Sequence, residues 1–314
     1  MNKDNEHILW VEAYRPKTID ECILPDNLKQ TFQTFIENGT VPNLVLAGPP
    51  GIGKTTVARA LCEQLNSDYI IINGSLNGNI DTLRNDILAF ASTMSFSGGR
   101  KYVILDEADY LTNQTQPALR NFIEQYARTC GFILTCNYVN KIIEPLRSRC
   151  SVIDFAISKK ETLKLAGQFF KRVCTILENE KIQYDKAIVA KIIENHYPDW
   201  RRVLNELQRY SVKGTIDSGI LASSQTLSIN ELIGYLKLKN YEQVRHWVIE
   251  NINNDHTSLF RSFYDNAKQF VSNQYIPILV MLIAKYQYQS VFAVDQEVNT
   301  MAFFAECMVS VEFI

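Results

Sequence analysis

No C-x-x-C pair occurs among the seven cysteines of this 314-residue chain (Cys22, Cys62, Cys130, Cys136, Cys150, Cys174 and Cys307). An odd set without paired spacing argues against a disulfide framework or a thiolate zinc site and for a reducing compartment. Histidine is also scarce. His7, His196, His246 and His256 are scattered without ligand spacing, which speaks against a histidine metal centre. The longest strongly apolar run, ILVMLIA at 278–284, is far shorter than the roughly 20 residues that span a bilayer. MNKDNEHILW at the start lacks the apolar core of a signal peptide, so the chain is expected to be soluble and intracellular, with no membrane partner. Nor is there an excess of charge of one sign. With 32 basic and 34 acidic residues the formal net charge is −2, and any contact with nucleic acid must be a local patch or a surface shared between subunits.

What the chain does have is apolar content, 46%, enough for two or three cores. After a short arm, WVEAYRP, and a helical pattern closed by Gly39, strands and helices alternate. NLVLAG, DYIIINGS, KYVILDEAD and GFILTCN read as strands, the last ending at Asn137. Helices are expected through Leu65, near 80–93 and near 114–127. Such alternation predicts an α/β fold with a parallel sheet covered on both faces and a ligand at the carboxyl ends of its strands. Beyond SRCSVIDF, near 150, the β pattern stops and residues 158–222 read as helices. LASSQTLS reads as a linker, and residues 228–314 are again helical and rich in Phe, Tyr and aliphatics. The expected domains are 1–152 (α/β, ATP-binding), 153–224 (small, helical) and 228–314 (all-α). The apolar load of the last segment fits a helical core, and equally a surface that packs on other subunits.

GPPGIGKT, Gly48 to Thr55, matches the phosphate-loop pattern with a strand before it and a helix after it. Gly48, Pro49, Pro50, Gly51, Ile52 and Gly53 form a loop whose N–H groups can point at phosphate oxygens; Lys54 reaches the terminal phosphates. The Thr55 hydroxyl can sit on Mg²⁺, and Thr56 follows in the helix. At the end of the third strand, Asp106 is placed to hold Mg²⁺ through water and Glu107 to polarise an attacking water. A Glu beside the metal Asp favours hydrolysis over transfer to an organic acceptor. Asn137 is placed to reach a γ-phosphate or the attacking water, although asparagine after a strand is also a common turn residue. Arg147 and Arg149 in PLRSRC have a surface salt bridge as their simplest reading. In PDWRRVLNELQRY, Trp200, Val203, Leu204, Leu207 and Tyr210 mark one helical face. Arg202 lies opposite that face, where Glu206 at i+4 can pair with it, which leaves Arg201 as the inward arginine.

GPPGIGKTT, VILDEAD, ILTCN, SRC and DWRRVLNEL, in this order, resemble the AAA+ ATPases, and with YRP more narrowly the clamp-loader subunits, the family that includes replication factor C. NGNIDTLRNDILAFAST and PDWRRVLNELQRYSVKGTIDSGIL look most like the ATP-hydrolysing large subunit of T-even-type phage loaders. The resemblance covers about residues 8–224. It implies ATP and Mg²⁺ as cofactors, Glu107 as catalytic base, and Asn137 and Arg201 as first and second γ-phosphate sensors. Val11, Tyr14, Arg15 and Pro16 would line the adenine pocket, and Arg149 would be an arginine finger acting on a neighbour's ATP. It further implies a pentameric ring or spiral of copies of this chain with a different loader subunit, a sliding clamp and primer–template DNA as partners, and the cytoplasm of an infected bacterium as location. The C-terminal domain becomes an oligomerisation collar.

Thr112, ahead of a helix, fits a DNA phosphate contact. Arg84 borders the Ile80, Leu83, Ile87 stripe, so an internal pairing is an open alternative. Arg120 faces away from the Leu119, Phe122, Ile123, Tyr126 stripe and next to Glu124, where DNA, a neighbouring subunit or a plain surface pair are all open. Met94 and Phe96 in STMSFSGGRK are candidate clamp anchors by resemblance, or apolar residues that tuck into the core. The expected activity is DNA-dependent ATP hydrolysis that opens a sliding clamp and loads it on primed DNA. Other readings are a branch-migration motor or helicase loader, a non-hydrolysing nucleotide-switch scaffold, and a small-molecule kinase. Glu107 and Arg149 speak against the scaffold, the SRC and lid arginines against the kinase.

Overall fold

A computed structural model describes residues 9–75, 80–93, 95, 99–112, 114–212, 214–216, 229–251, 256–290 and 292–314. Met94, Phe96 and the expected linker at 221–228 lie outside these residues. The chain divides into two compact units, Met1–Ser218 and Gly219–Ile314.

The first unit is built on five parallel strands: β1 Leu44–Ala47, β2 Tyr69–Asn73, β3 Lys101–Asp106, β4 Cys130–Cys136 and β5 Ser151–Asp154, in the order β2-β3-β4-β1-β5. All residues of β1 and β4 are buried, as strands covered on both faces must be, whereas the edge strand β5 is largely exposed. Side chains alternate between two cores. Leu44, Leu46 and Ile104 pack with Phe32 of α2 (Asp26–Glu37) and with Val57 and Leu61 of α3 (Lys54–Gln64). Val45, Val103 and Leu134 pack on the other side, with Leu83 and Ile87 of α4 (Ile80–Ser92) and Leu119 and Phe122 of α5 (Thr115–Gln125). A short N-terminal helix, α1 (Trp10–Ala13), precedes these, and α6 (Glu144–Arg147) precedes β5.

Two buried polar side chains fasten the loops. Gln116 is 1% exposed; its amide donates to Leu111 O (3.2 Å) and Lys141 O (2.9 Å) and accepts from Ile143 N (2.8 Å). It thereby ties the start of α5 to the segment that follows β4. Lys101 is 3% exposed, its ammonium held by the carbonyls of Phe90 and Thr93 and by Thr93 Oγ1 (2.9 Å). A cation there satisfies orphan carbonyls at the end of α4.

The unit continues into helices α7 (Lys159–Asn179), α8 (Lys186–His196) and α9 (Trp200–Ser211). All five residues expected on the inner face of α9 are buried. Two differences from the sequence reading appear. Gln183–Tyr184 (β6) and Thr215–Ile216 (β7) form a small parallel pairing inside the region read as helical; two residues each is too short for a period to show. Glu206 also takes Arg209 at i+3 (2.7 Å), a partner the sequence reading had not offered it.

In the second unit, α10 (Ile229–Lys237), α11 (Tyr241–Asn251), α12 (His256–Phe270), α13 (Ile276–Ser290) and α14 (Gln296–Ser310) surround an aromatic cluster. Phe263 stands at its centre, with ring centroids 5.3 Å from Phe270, 6.0 Å from Phe303 and 5.6 Å from Phe304. On α13, Leu279, Leu282, Ile283 and Tyr286 are buried while Met281 and Tyr288 are exposed, so that helix is apolar on both faces.

Replacing Gln116 with Leu keeps the volume but leaves two carbonyls and one N–H without their partner. The variant is expected to lose about 2–3 kcal/mol of stability in urea unfolding; a loss below half a kcal/mol would show the three bonds to be incidental.

Candidate nucleotide site

The site grows from the turn between β1 and α3. Gly53 (φ 101°) precedes the first helical residue, Lys54, and no side chain caps the helix, so its first N–H groups stay free for an anion. Gly51 (φ 73°) lies against the lid, where a Cβ would stand 1.7 Å from Asp199 Oδ1. Asp199 in turn accepts from Arg202 N (3.0 Å) and caps α9, so one carboxylate fixes both the start of that helix and its distance from the phosphate loop.

Lys54 is 8% exposed. Its Nζ donates to Gly48 O (2.7 Å), Pro49 O (2.8 Å) and Asn137 Oδ1 (2.9 Å), and burial pulls the ammonium below the ordinary lysine range. Asn137, just past β4, is fixed from behind, its N–H donating to Oδ2 of the buried Asp109 (3.2 Å). The hydroxyls of Thr55 and Thr135 both donate to Asp106 Oδ1, each at 2.6 Å. Glu107 sits in the left-handed region (φ 55°), and its N–H donates to Thr135 Oγ1 (3.1 Å).

Beside the loop lies an open cleft. Val11, Tyr14, Arg15 and Pro16 line it, as do Gly51, Ile52, Gly53 and Thr56 of the loop. Arg201 lines it too, and Arg202 is not among the lining residues. Arg15 donates to Thr56 Oγ1 (3.0 Å) and pairs with Glu12. Other residues of the wall were not site candidates in the sequence, where Trp200 and Leu204 were read only as part of the apolar face of α9. Cys22, Ile23 and Leu24 come from the segment before α2, and Phe169, Arg172, Trp200 and Leu204 from the lid. Lid residues also grip the arm. Arg172 donates to Tyr14 O (2.8 Å), Tyr14 OH donates to Glu180 Oε1 (2.6 Å), and Trp10 N donates to Gln208 Oε1 (2.9 Å). Burial and the Glu180 carboxylate push the Tyr14 phenol up to about 12.

The donor set is that of a polyphosphate site. An ammonium, free helix N–H groups and Arg201 suit phosphate oxygens, while the hydroxyl and carboxylate oxygens of Thr55 and Asp106 suit a hard divalent cation such as Mg²⁺.

The remaining candidates lie elsewhere. Arg149 does not line the cavity; it pairs with Glu124 (2.5 Å) and donates to Pro145 O (2.8 Å), so the simple surface pair applies in the free chain. Arg147 pairs with Glu144. Because Glu124 holds Arg149, the Glu124 pairing offered to Arg120 gives way; half-buried Arg120 reaches Asn121 Oδ1 at 3.5 Å. Arg84 is exposed, between buried Leu83 and Ile87. Thr112 is exposed, and its hydroxyl accepts from Thr115 N (3.2 Å) at the start of α5.

A parallel sheet with a phosphate loop after β1, an inner strand, acids at the end of β3 and a helical lid defines a nucleotide-binding AAA+ module. Residues 44–157 match the model of the ATPase family associated with various cellular activities (AAA), and residues 161–222 match that of the sliding-clamp-loader large subunit, AAA+ ATPase lid domain. The sliding-clamp-loader large subunit of Enterobacteria phage T4 is 40% identical over 248 residues, 77% of each chain. The replication factor C small subunit of Sulfurisphaera tokodaii is 33% identical over 97% of this chain and 96% of its own. Among solved structures, the Thermotoga maritima RuvB Holliday junction branch migration motor superposes with a TM-score of 0.52 at 20% identity, over 71% of this chain and 78% of that one; this likeness shows the fold alone. The chain belongs to the clamp-loader family of AAA+ ATPases, among the relatives of the phage large subunits and the replication factor C small subunits.

Gly51→Ala should destabilise the first unit by about 1–3 kcal/mol, through both its positive φ and the contact with Asp199. Because the clash needs the carboxylate, Gly51→Ala and Asp199→Ala should be less than additive in thermal unfolding. Strict additivity would mean that the two do not touch in solution.

Proposed function

We propose that this chain is the ATP-hydrolysing subunit of a loader that opens a sliding clamp and places it on primer–template DNA. The observation that carries the reading is a division of labour. Lys54, Asn137 and Asp106 are hydrogen-bonded around one phosphate loop with Glu107 next to Asp106, while Arg149 is tied instead to Glu124 and Pro145, a placement that suits it to a neighbouring molecule's nucleotide. ATP lies with its base in the cavity lined by Val11, Tyr14, Arg15 and Pro16 and its phosphates on Gly48–Thr56. Thr55 and Asp106 would hold Mg²⁺, which would neutralise phosphate charge. Glu107 directs water at the γ-phosphate, Asn137 and Arg201 sense that phosphate from sheet and lid, and Arg149 completes a neighbour's site.

The three-domain division at 1–152, 153–224 and 228–314 accompanies this reading, the last domain serving as collar. Exposed Met281, Tyr288, Val298 and Val309 supply it with apolar surface. Several copies join a different subunit in a pentameric spiral, with Thr112, Arg84 and Arg120 toward DNA and Met94 and Phe96 toward the clamp. No described helix is long and apolar enough to cross a membrane, which accords with work in the cytoplasm of an infected bacterium.

ATPase activity of the assembled loader should rise with primed DNA and a clamp together by more than the product of their separate effects; absence of that synergy would favour a different DNA motor. Glu107→Gln should lower turnover by about 10²-fold or more while ATP still binds. Lys54 supplies a pH test. Its depressed value rises when phosphate binds, because the charged form is then favoured. Affinity for ATP is therefore flat below the value in the free chain and weakens above it by up to about tenfold per pH unit, as binding takes up a proton. Calorimetry in buffers of different ionisation enthalpy reads this uptake, and Lys54→Met abolishes it.

A further inference from the structure

Thr135 takes no part in the reading above, yet its hydroxyl is bonded to both acids of the site. It is 2% exposed and belongs to β4, paired with Leu46 of the strand that feeds the phosphate loop. On its other side lies β3, whose acids begin one residue beyond the paired Leu105 and Leu134. Its hydroxyl does two things. It donates to Asp106 Oδ1 (2.6 Å), and it accepts the N–H of Glu107 (3.1 Å).

Glu107 requires such a partner. Its left-handed backbone is one that side-chain-bearing residues rarely adopt, and it persists only where neighbours over-determine it. Two neighbours do so besides Thr135. The Glu107 carbonyl accepts from Tyr110 N (3.0 Å), and it lies so close to Gly74 that a Cβ there would stand 2.7 Å away. The carbonyl side is thus held by backbone. The N–H side rests on one hydroxyl.

We propose that Thr135 is a positioning residue that sets both acids together. Its proton orients the Asp106 carboxylate, which already accepts from Thr55, and its lone pair holds the strained turn that aims Glu107. The two bonds share one oxygen, so each polarises the other, and a change of charge at Asp106 is felt at the Glu107 backbone. The inference rests on the assignment of Asp106 and Glu107 given above.

Thr135→Val keeps the shape and removes the hydroxyl; Thr135→Ser keeps the hydroxyl. Amide-resolved hydrogen exchange of the nucleotide-free chain should show the Glu107 N–H losing about tenfold or more of its protection in the Val variant and little in the Ser variant. In the assembled loader, kcat should fall about 10–100-fold for Val with KM for ATP changed by less than about threefold, and Ser should stay within about threefold of the parent. Unchanged Glu107 protection in the Val variant, or turnover within twofold of the parent, overturns the proposal, as does a Ser variant as impaired as Val. If Val does not fold, Thr135→Ala is read by the same two measurements. Should Glu107→Gln leave turnover intact, the role of Glu107 falls on its own, while the exchange measurement still decides whether Thr135 holds the turn.

Discussion

A lysine ammonium placed under the carboxyl end of a parallel sheet must be surrounded by oxygen, and much of the first unit answers that demand. Lys54 is nearly out of water, and the acceptors it finds are two carbonyls of its own loop and the amide of Asn137. To bring that amide into reach, β4 must lie beside β1 and end one residue short of Asn137, and Asp109 must hold the Asn137 backbone. Asp109 is in turn set by the tight turn that begins at Glu107. Loop, sensor and acids are therefore one connected polar system in which few members can move alone. On the proposed function, a phosphate would replace the carbonyls as partner of the ammonium.

Legibility in the sequence followed from how local each feature is. The four apolar runs announced the parallel sheet, and the period of Trp200, Val203, Leu204, Leu207 and Tyr210 announced the lid helix and the inward arginine, because both signals repeat within one element. Gly48–Thr55 was readable because a strand and a helix flank it. Thr135 was not. Its importance comes from register, since it lies on the next strand, far in sequence from the acids it touches, and a lone threonine in a strand carries no pattern. The same holds for Cys22, Phe169 and Arg172, which reach the cavity from segments distant in the chain. The pairing of Glu206 with Arg209 was not foreseen because i+3 and i+4 are both neighbours on a helix, and spacing alone does not say which partners a carboxylate takes.

The second unit shows a different economy. Its core is aromatic, with Phe263 among Phe270, Phe303 and Phe304, so a few large rings fill a volume that aliphatic residues would need many positions to fill. That leaves other apolar positions free to face outward. The sequence could not say whether its apolar load meant core or contact surface, and the helices present both: Leu279, Leu282, Ile283 and Tyr286 inside, Met281 and Tyr288 outside.

The ion pair between Arg149 and Glu124 has a bearing on how subunits recognise one another. On the proposed role of Arg149, docking exchanges one anion for another, a carboxylate of its own chain for a phosphate on the next. The number of ion pairs is conserved, so the swap by itself contributes little to binding strength. Its sign depends on what the neighbour holds. A triphosphate outbids a single carboxylate, whereas an empty or spent site does not. A bond that costs almost nothing to keep thus acts as a comparator, and the assembly reads its fuel state by competition rather than by adding contacts.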